Sequence, residues 1–117
     1  MAIRERGFTM IELVIVVAVI AILASIAYTQ YTSSYQRANR TDAKNALVDL
    51  AARQERYRFG RNEYTASLTD LGLTSSVVNG NYEIAIIAAD DATFSARAVP
   101  QGAQANDRCG TLTLDNT

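Results

Sequence analysis

No charged side chain occurs between Leu13 and Gln36, and from Leu13 to Ala27 every residue except Ser25 is apolar. A run of this kind admits few structures. Phe8 to Tyr28 spans 21 residues. As a helix it reaches roughly 30 Å, about the thickness of a bilayer's hydrocarbon core. Arg4 and Arg6 precede it, and no comparable basic cluster follows directly. That asymmetry predicts a cytoplasmic N-terminus with the remainder carried outward.

Three readings of the run compete. It could be a signal anchor tethering a small domain. It could be a secretory signal peptide cut near Ser25–Ala27, although it is long for that role. Or it could be a helix made to pack among copies of itself. Glu12, at the mouth of the run, bears on the choice. A carboxylate mid-bilayer costs about 2.5–3.5 kcal/mol, less toward an end, and is usually paired. The next basic residue is Arg37, too far along the helix to reach it. Snorkelling to the interface is one solution. Another is cleavage after Gly7, which would leave a cationic α-amino group on Phe8, four residues before Glu12.

The rest of the chain bounds the function classes. Its 117 residues suit one small domain. A net charge of −1 gives no global pull toward nucleic acid. There is no histidine, no phosphate-binding glycine motif, no CxxC and no nucleophile–base spacing, so no enzyme is expected. No cofactor and no metal are expected either. Asp90 and Asp91 are too few to argue for calcium and fit turn chemistry instead.

Beyond Tyr28 the helical signal continues. Ala43, Leu47, Leu50, Gln54 and Tyr57 recur at spacings of three and four and share a face. Asp49 and Arg53 form an i,i+4 pair. Nothing between Phe8 and Phe59 breaks a helix, and "RFG" predicts its end, with Gly60 as the cap. Arg53, Arg56, Arg58 and Arg61 gather there. They read better as a solvated helix C-terminus, complementing the macrodipole beside Glu55 and Glu63, than as a DNA-binding or adhesive patch.

Residues 61–80 read as a loop with a short helical turn, anchored by Tyr64, Leu68, Leu71 and Leu73, with a tight turn at Gly72. "VNGNY" signals a turn before a strand. Three strands are predicted: "YEIAII" from Tyr82, "FSARAV" from Phe94, and "TLTL" with Leu112 and Leu114 inward. The expected fold is α+β. It comprises a short charged leader at 1–7, a long helix at 8–59 whose 8–28 portion is transmembrane or packed among copies of itself, and a head at 60–117 whose small antiparallel sheet has one face on the helix.

"RGFTMIELVIVVAVIAILASIA" resembles the N-terminal signal of type IV pilins and the related pseudopilins. The resemblance implies that a prepilin peptidase cuts between Gly7 and Phe8 and methylates the new Phe8 amine. It implies that Glu12 pairs with the N-terminal amine of a neighbouring subunit during filament assembly. "QERYRFGRNEYTASLTDLGL" and "AVPQGAQANDRCGTLTLDN" resemble the heads of PilE-type minor pilins of type IVa pili. The implied function is that of a structural pilus subunit, a minor pilin that primes or joins the filament. A major pilin, a type II secretion pseudopilin and a DNA-uptake pilin are the alternatives. The implied partners are other pilins, the prepilin peptidase, the inner-membrane assembly machinery and, before assembly, the inner membrane. DNA is the less favoured partner. The implied location is the inner membrane with a periplasmic head, then a cell-surface pilus serving adhesion or twitching motility.

Two departures from the family matter. Many type IVa pilins carry a kinking proline where this chain has Thr29, so a straighter helix is expected. Cys109 is alone, although such heads usually close a C-terminal loop with a disulfide. A partner cysteine beyond Thr117 is one expectation; a buried thiol acting as a small hydrophobe is the other.

Overall fold

A computed structural model describes residues 6–117. The expected leader residue Arg4 lies outside the described residues. The elements are helix α1 (Met10–Arg61), strand β1 (Val77–Val78), β2 (Tyr82–Ala89), β3 (Phe94–Pro100) and β4 (Leu112–Asp115), with short 3-10 turns at Thr69–Leu71 and Gly102–Asn106. The fold is α+β, one long N-terminal helix with a four-stranded antiparallel sheet in the order β1-β2-β3-β4. The chain divides into two compact units, Met1–Tyr35 and Gln36–Thr117.

In the first unit α1 starts abruptly and stays helical through Thr29. Threonine keeps the backbone N–H that a proline would remove. Ser25, Thr29 and Thr32 turn their hydroxyls onto the helix itself, donating to the carbonyls of Ile22 (2.7 Å), Ser25 (3.1 Å) and Tyr28 (2.9 Å). The apolar side chains from Phe8 to Ile26 have no cover within the chain.

In the second unit Asn39, Ala43, Leu47, Leu50 and Gln54 form the buried face of α1. Against it lie Tyr64, Leu71, Tyr82, Ile84, Phe94, Ala96 and Ala98. Strand alternation explains the sheet's share of this core. In β3, Phe94, Ala96 and Ala98 are buried while Arg97 is exposed. Pairing places Ile84 opposite Ala98 and Ile86 opposite Ala96, then shifts between Ile86 and Ala88. This bulge at Ile87 changes the strand's parity, so that Ala89 joins the side chains packed on the core.

The three expected strands are present, and a fourth joins them. Val77–Val78 pairs with Tyr82 and Glu83, and is too short to show alternation. The helix end also differs from expectation. α1 continues past Gly60 to Arg61, and Asn62 takes the left-handed conformation at φ 59°. Asn62 N–H closes the helix on the Arg58 carbonyl at 2.7 Å. Asparagine tolerates this conformation better than most residues, so it can serve where glycine was expected. Gly72 caps its 3-10 turn at φ 77°, as its position in the loop suggested.

Candidate functional site

The start of α1 is a reciprocal cap. The Thr9 carbonyl accepts the first helical bond, from Leu13 N–H. Glu12 N–H donates to Thr9 Oγ1 at 3.2 Å, and Thr9 N–H donates to Glu12 Oε2 at 3.2 Å. The Thr9 hydroxyl also lies 3.4 Å from the same carboxylate oxygen. Threonine followed three residues later by glutamate forms a capping box, satisfying two donors that a helix start leaves orphaned. The negative carboxylate also complements the positive end of the helix dipole. The T-x-x-E signal is present in "FTMIEL", but the place of Glu12 in an apolar run masks it.

Gly7 and Phe8 precede the helix in non-helical backbone, and the Phe8 side chain is 80% exposed. The bond between them is therefore presented outside regular structure. Among the described residues Glu12 makes no ion pair; its partners are those of the cap.

Three of the four arginines at the other end of α1 have defined partners. Arg53 donates from Nε to Asp49 and from Nη1 to the Leu71 carbonyl, both at 2.9 Å, tying the helix to the following loop. Arg58 donates to the Asp91 carbonyl at 3.2 Å and lies over the Tyr64 ring. Arg61 stacks 4.4 Å above the Tyr57 ring. Arg56 is exposed, and with Arg53, Tyr57, Arg61, Asp70 and Leu71 it lines an open groove.

Two buried polar clusters complete the geometry. Gln54, fully buried, donates to the Thr65 carbonyl at 2.7 Å and accepts from Thr65 N–H at 3.0 Å. Thr65 in turn donates to Asp70 at 2.8 Å. Gln104, 2% exposed, accepts from Asn39 at 3.0 Å. Its Nε2 faces Tyr82 Oη, the Gln36 carbonyl and Asp107 Oδ2 at 3.0–3.1 Å, three acceptors sharing two hydrogens. Arg40 Nε sits 2.9 Å from Asp107 Oδ2, an ion pair by distance whose N–H points off the carboxylate.

Residues 29–113 match the family profile described as "Type IV minor pilin ComP, DNA uptake sequence receptor". Residues 3–28 match the prokaryotic N-terminal methylation motif. The chain belongs to the type IV pilin family. That family is one of structural proteins, not of enzymes. This pilin is also 40% identical over 82 residues to the type IV wide pilus major component PilA4 of Thermus thermophilus. The match covers 68% of this chain and 63% of that relative's length.

The buried clusters are what the sequence of this pilin conceals. Gln54 falls on the apolar face by its spacing, and a polar side chain at a core position calls for partners. Gln104 carries no such signal, because its contact with Asn39 spans 65 positions. Cys109 is exposed rather than buried, and it makes no disulfide among the described residues. It is held at the surface by Arg40 Nη1, 2.9 Å from its Sγ, and by its own N–H on Asp107. No group of metal-ligating side chains occurs among the described residues. Asp90 is a turn residue whose Oδ1 accepts from Ala92 N–H (2.8 Å) and Thr93 N–H (2.6 Å). Those bonds, Thr93's foremost, hold its carboxyl below the usual carboxylate range. Burial, aided by the hydrogen bond to Glu55, pushes the Tyr64 phenol up.

Proposed function

We propose that this pilin is a minor structural subunit of a type IV pilus, inserted in the inner membrane and then built into a surface filament. One observation carries the reading. The apolar first unit has none of its most hydrophobic window covered within the chain. Something outside the chain must cover it, lipid first and sibling helices later. Moving from lipid to a helical core brings no ordinary hydrophobic gain, so packing and charge pairing select the register.

Glu12 supplies the charge. Cleavage adds water across the Gly7–Phe8 peptide bond and frees the Phe8 amine, which the prepilin peptidase methylates from a sulfonium methyl donor, releasing the thioether and a proton. Before assembly the carboxylate rests on Thr9 N–H within its own capping box. During assembly it exchanges that neutral donor for the cationic Phe8 amine of a neighbour, a charge-assisted bond roughly twice as strong. The test is the mass of the N-terminal peptide in sheared surface fractions. A peptide beginning at methylated Phe8 is expected. A chain beginning at Met1, found only in membranes, would leave a signal anchor; one beginning at Tyr28 would mean ordinary secretion.

The minor role is supported by the profile match, and the major role by the likeness to PilA4. Subunit abundance in purified filaments separates them.

A second reading, DNA reception, is favoured by the description of the matched profile together with the groove holding Arg56 and Arg61. Stacking on the Tyr57 ring holds the Arg61 cation at the edge of this groove. If this groove binds DNA, Arg56→Ala with Arg61→Ala weakens binding and reduces the log–log salt slope by about 2, one unit for each phosphate no longer neutralised. Unchanged binding by the double variant would remove the groove from the reading. Arg53 is left alone because it ties the loop to the helix.

A further inference from the structure

Tyr28, Tyr31 and Tyr35 follow the apolar run directly. Their spacings of three and four place them on one stripe of α1. Tyr28 and Tyr31 are largely exposed and Tyr35 about half, and the rings of Tyr31 and Tyr35 lie nearly parallel, 10° apart with centroids at 6.3 Å. The residues around them, Gln30, Ser33, Ser34 and Gln36, are polar but uncharged, and the first cation is Arg37. At 1.5 Å per residue, Tyr28 lies about 27 Å beyond Met10, close to the ~30 Å depth of a hydrocarbon core. Tyr31 and Tyr35 then fall in the layer where apolar chains give way to headgroups.

Tyrosine suits that layer, because its ring is apolar and its hydroxyl needs a polar partner. The neighbouring threonines suit it too. Thr29 and Thr32 bond to carbonyls of their own helix and so make no demand for water. The stripe is continuous with the uncovered apolar surface below it, which makes the same bilayer its natural occupant.

We infer that Tyr28, Tyr31 and Tyr35 form an aromatic belt seated in the phospholipid headgroup layer, which fixes the depth of the helix in the membrane before assembly. The inference rests on the membrane stage of the function proposed above. The belt is also a contact that the subunit must leave on entering a filament.

The protein has no tryptophan, so single tryptophans report depth without background. The full chain, as Tyr31→Trp, Tyr35→Trp or Val19→Trp, is reconstituted into phosphatidylcholine–phosphatidylglycerol vesicles. The lipids are brominated either near the headgroup or near the chain ends. The expected result is stronger quenching of Tyr31→Trp and Tyr35→Trp by the shallow bromines, and of Val19→Trp by the deep ones. If Val19→Trp is quenched deeply while the other two are quenched by neither lipid, another copy or solvent covers the stripe and the belt is overturned. Deep quenching at all three positions overturns it as well. If Val19→Trp is quenched by neither lipid, the membrane stage itself fails and the belt fails with it.

Discussion

Gln54 shows how much one side chain can carry. Its amide replaces a missing stretch of backbone pairing, bonding both the N–H and the C=O of Thr65 in a fully buried position. Leucine has nearly the same volume and would satisfy neither group. Each buried group left unpaired costs about 1–3 kcal/mol. Gln54→Leu is therefore expected to lower the urea midpoint markedly, whereas Val48→Ala on an exposed face of α1 is expected to change it little. Equal midpoints for Gln54→Leu and the parent would show that the clamp contributes nothing. Asp90 gives a second residue-scale test, on pH. Its carboxylate is favoured in the folded turn by bonds from Thr93 and Ala92, so its folded pKa lies below the unfolded one. The stabilisation is complete above the unfolded value, about 3.9, and is lost as pH falls through the folded value. Asp90→Asn, which does not titrate, is expected to lose less stability than the parent between neutral pH and pH 3. Parallel losses in the two proteins would place the acid sensitivity elsewhere.

The elements differ in how openly the sequence announces them. α1 is legible because its two halves signal through different patterns, a continuous apolar run and then Ala43, Leu47 and Leu50 at helical spacing. β3 is legible because Phe94, Ala96 and Ala98 alternate with Ser95 and Arg97. β1 is not, since two valines carry no period. The bulge at Ile87 is hidden too: one added residue in an unbroken apolar strand leaves no mark in the pattern. Of the candidate site, the positions of Gly7, Phe8 and Glu12 could be marked by resemblance, but the local use of Glu12 depends on Thr9. That pairing is itself testable. Thr9→Ala removes the N-cap hydroxyl, which is worth about 0.5–2 kcal/mol of helix stability. Amides of Ile11, Glu12 and Leu13 are expected to exchange faster in detergent micelles, while those near Val19 keep their rates, because fraying is confined to the first turn. Faster exchange spread along the whole helix, or no change at the first turn, would contradict the capping box.

At the scale of the whole molecule, the two units have opposite requirements. Every core residue, from Ala43 to Ala98, belongs to Gln36–Thr117, as do both buried polar clusters. Met1–Tyr35 holds no buried residue among those described and presents its apolar surface outward. The head's stability should thus be independent of the segment that needs lipid or sibling helices. A chain of residues 36–117 is expected to be soluble without detergent and to unfold cooperatively, and the full chain to require detergent. The stronger form of the prediction uses Gln54→Leu as a probe. Sites more than about 7–10 Å apart with no shared partners usually add in free energy. Gln54→Leu should then lower stability by the same amount in residues 36–117 as in the full chain. A smaller loss in the full chain would mean that the first unit supports the head, and a filament built on this helix would then couple its core to its surface.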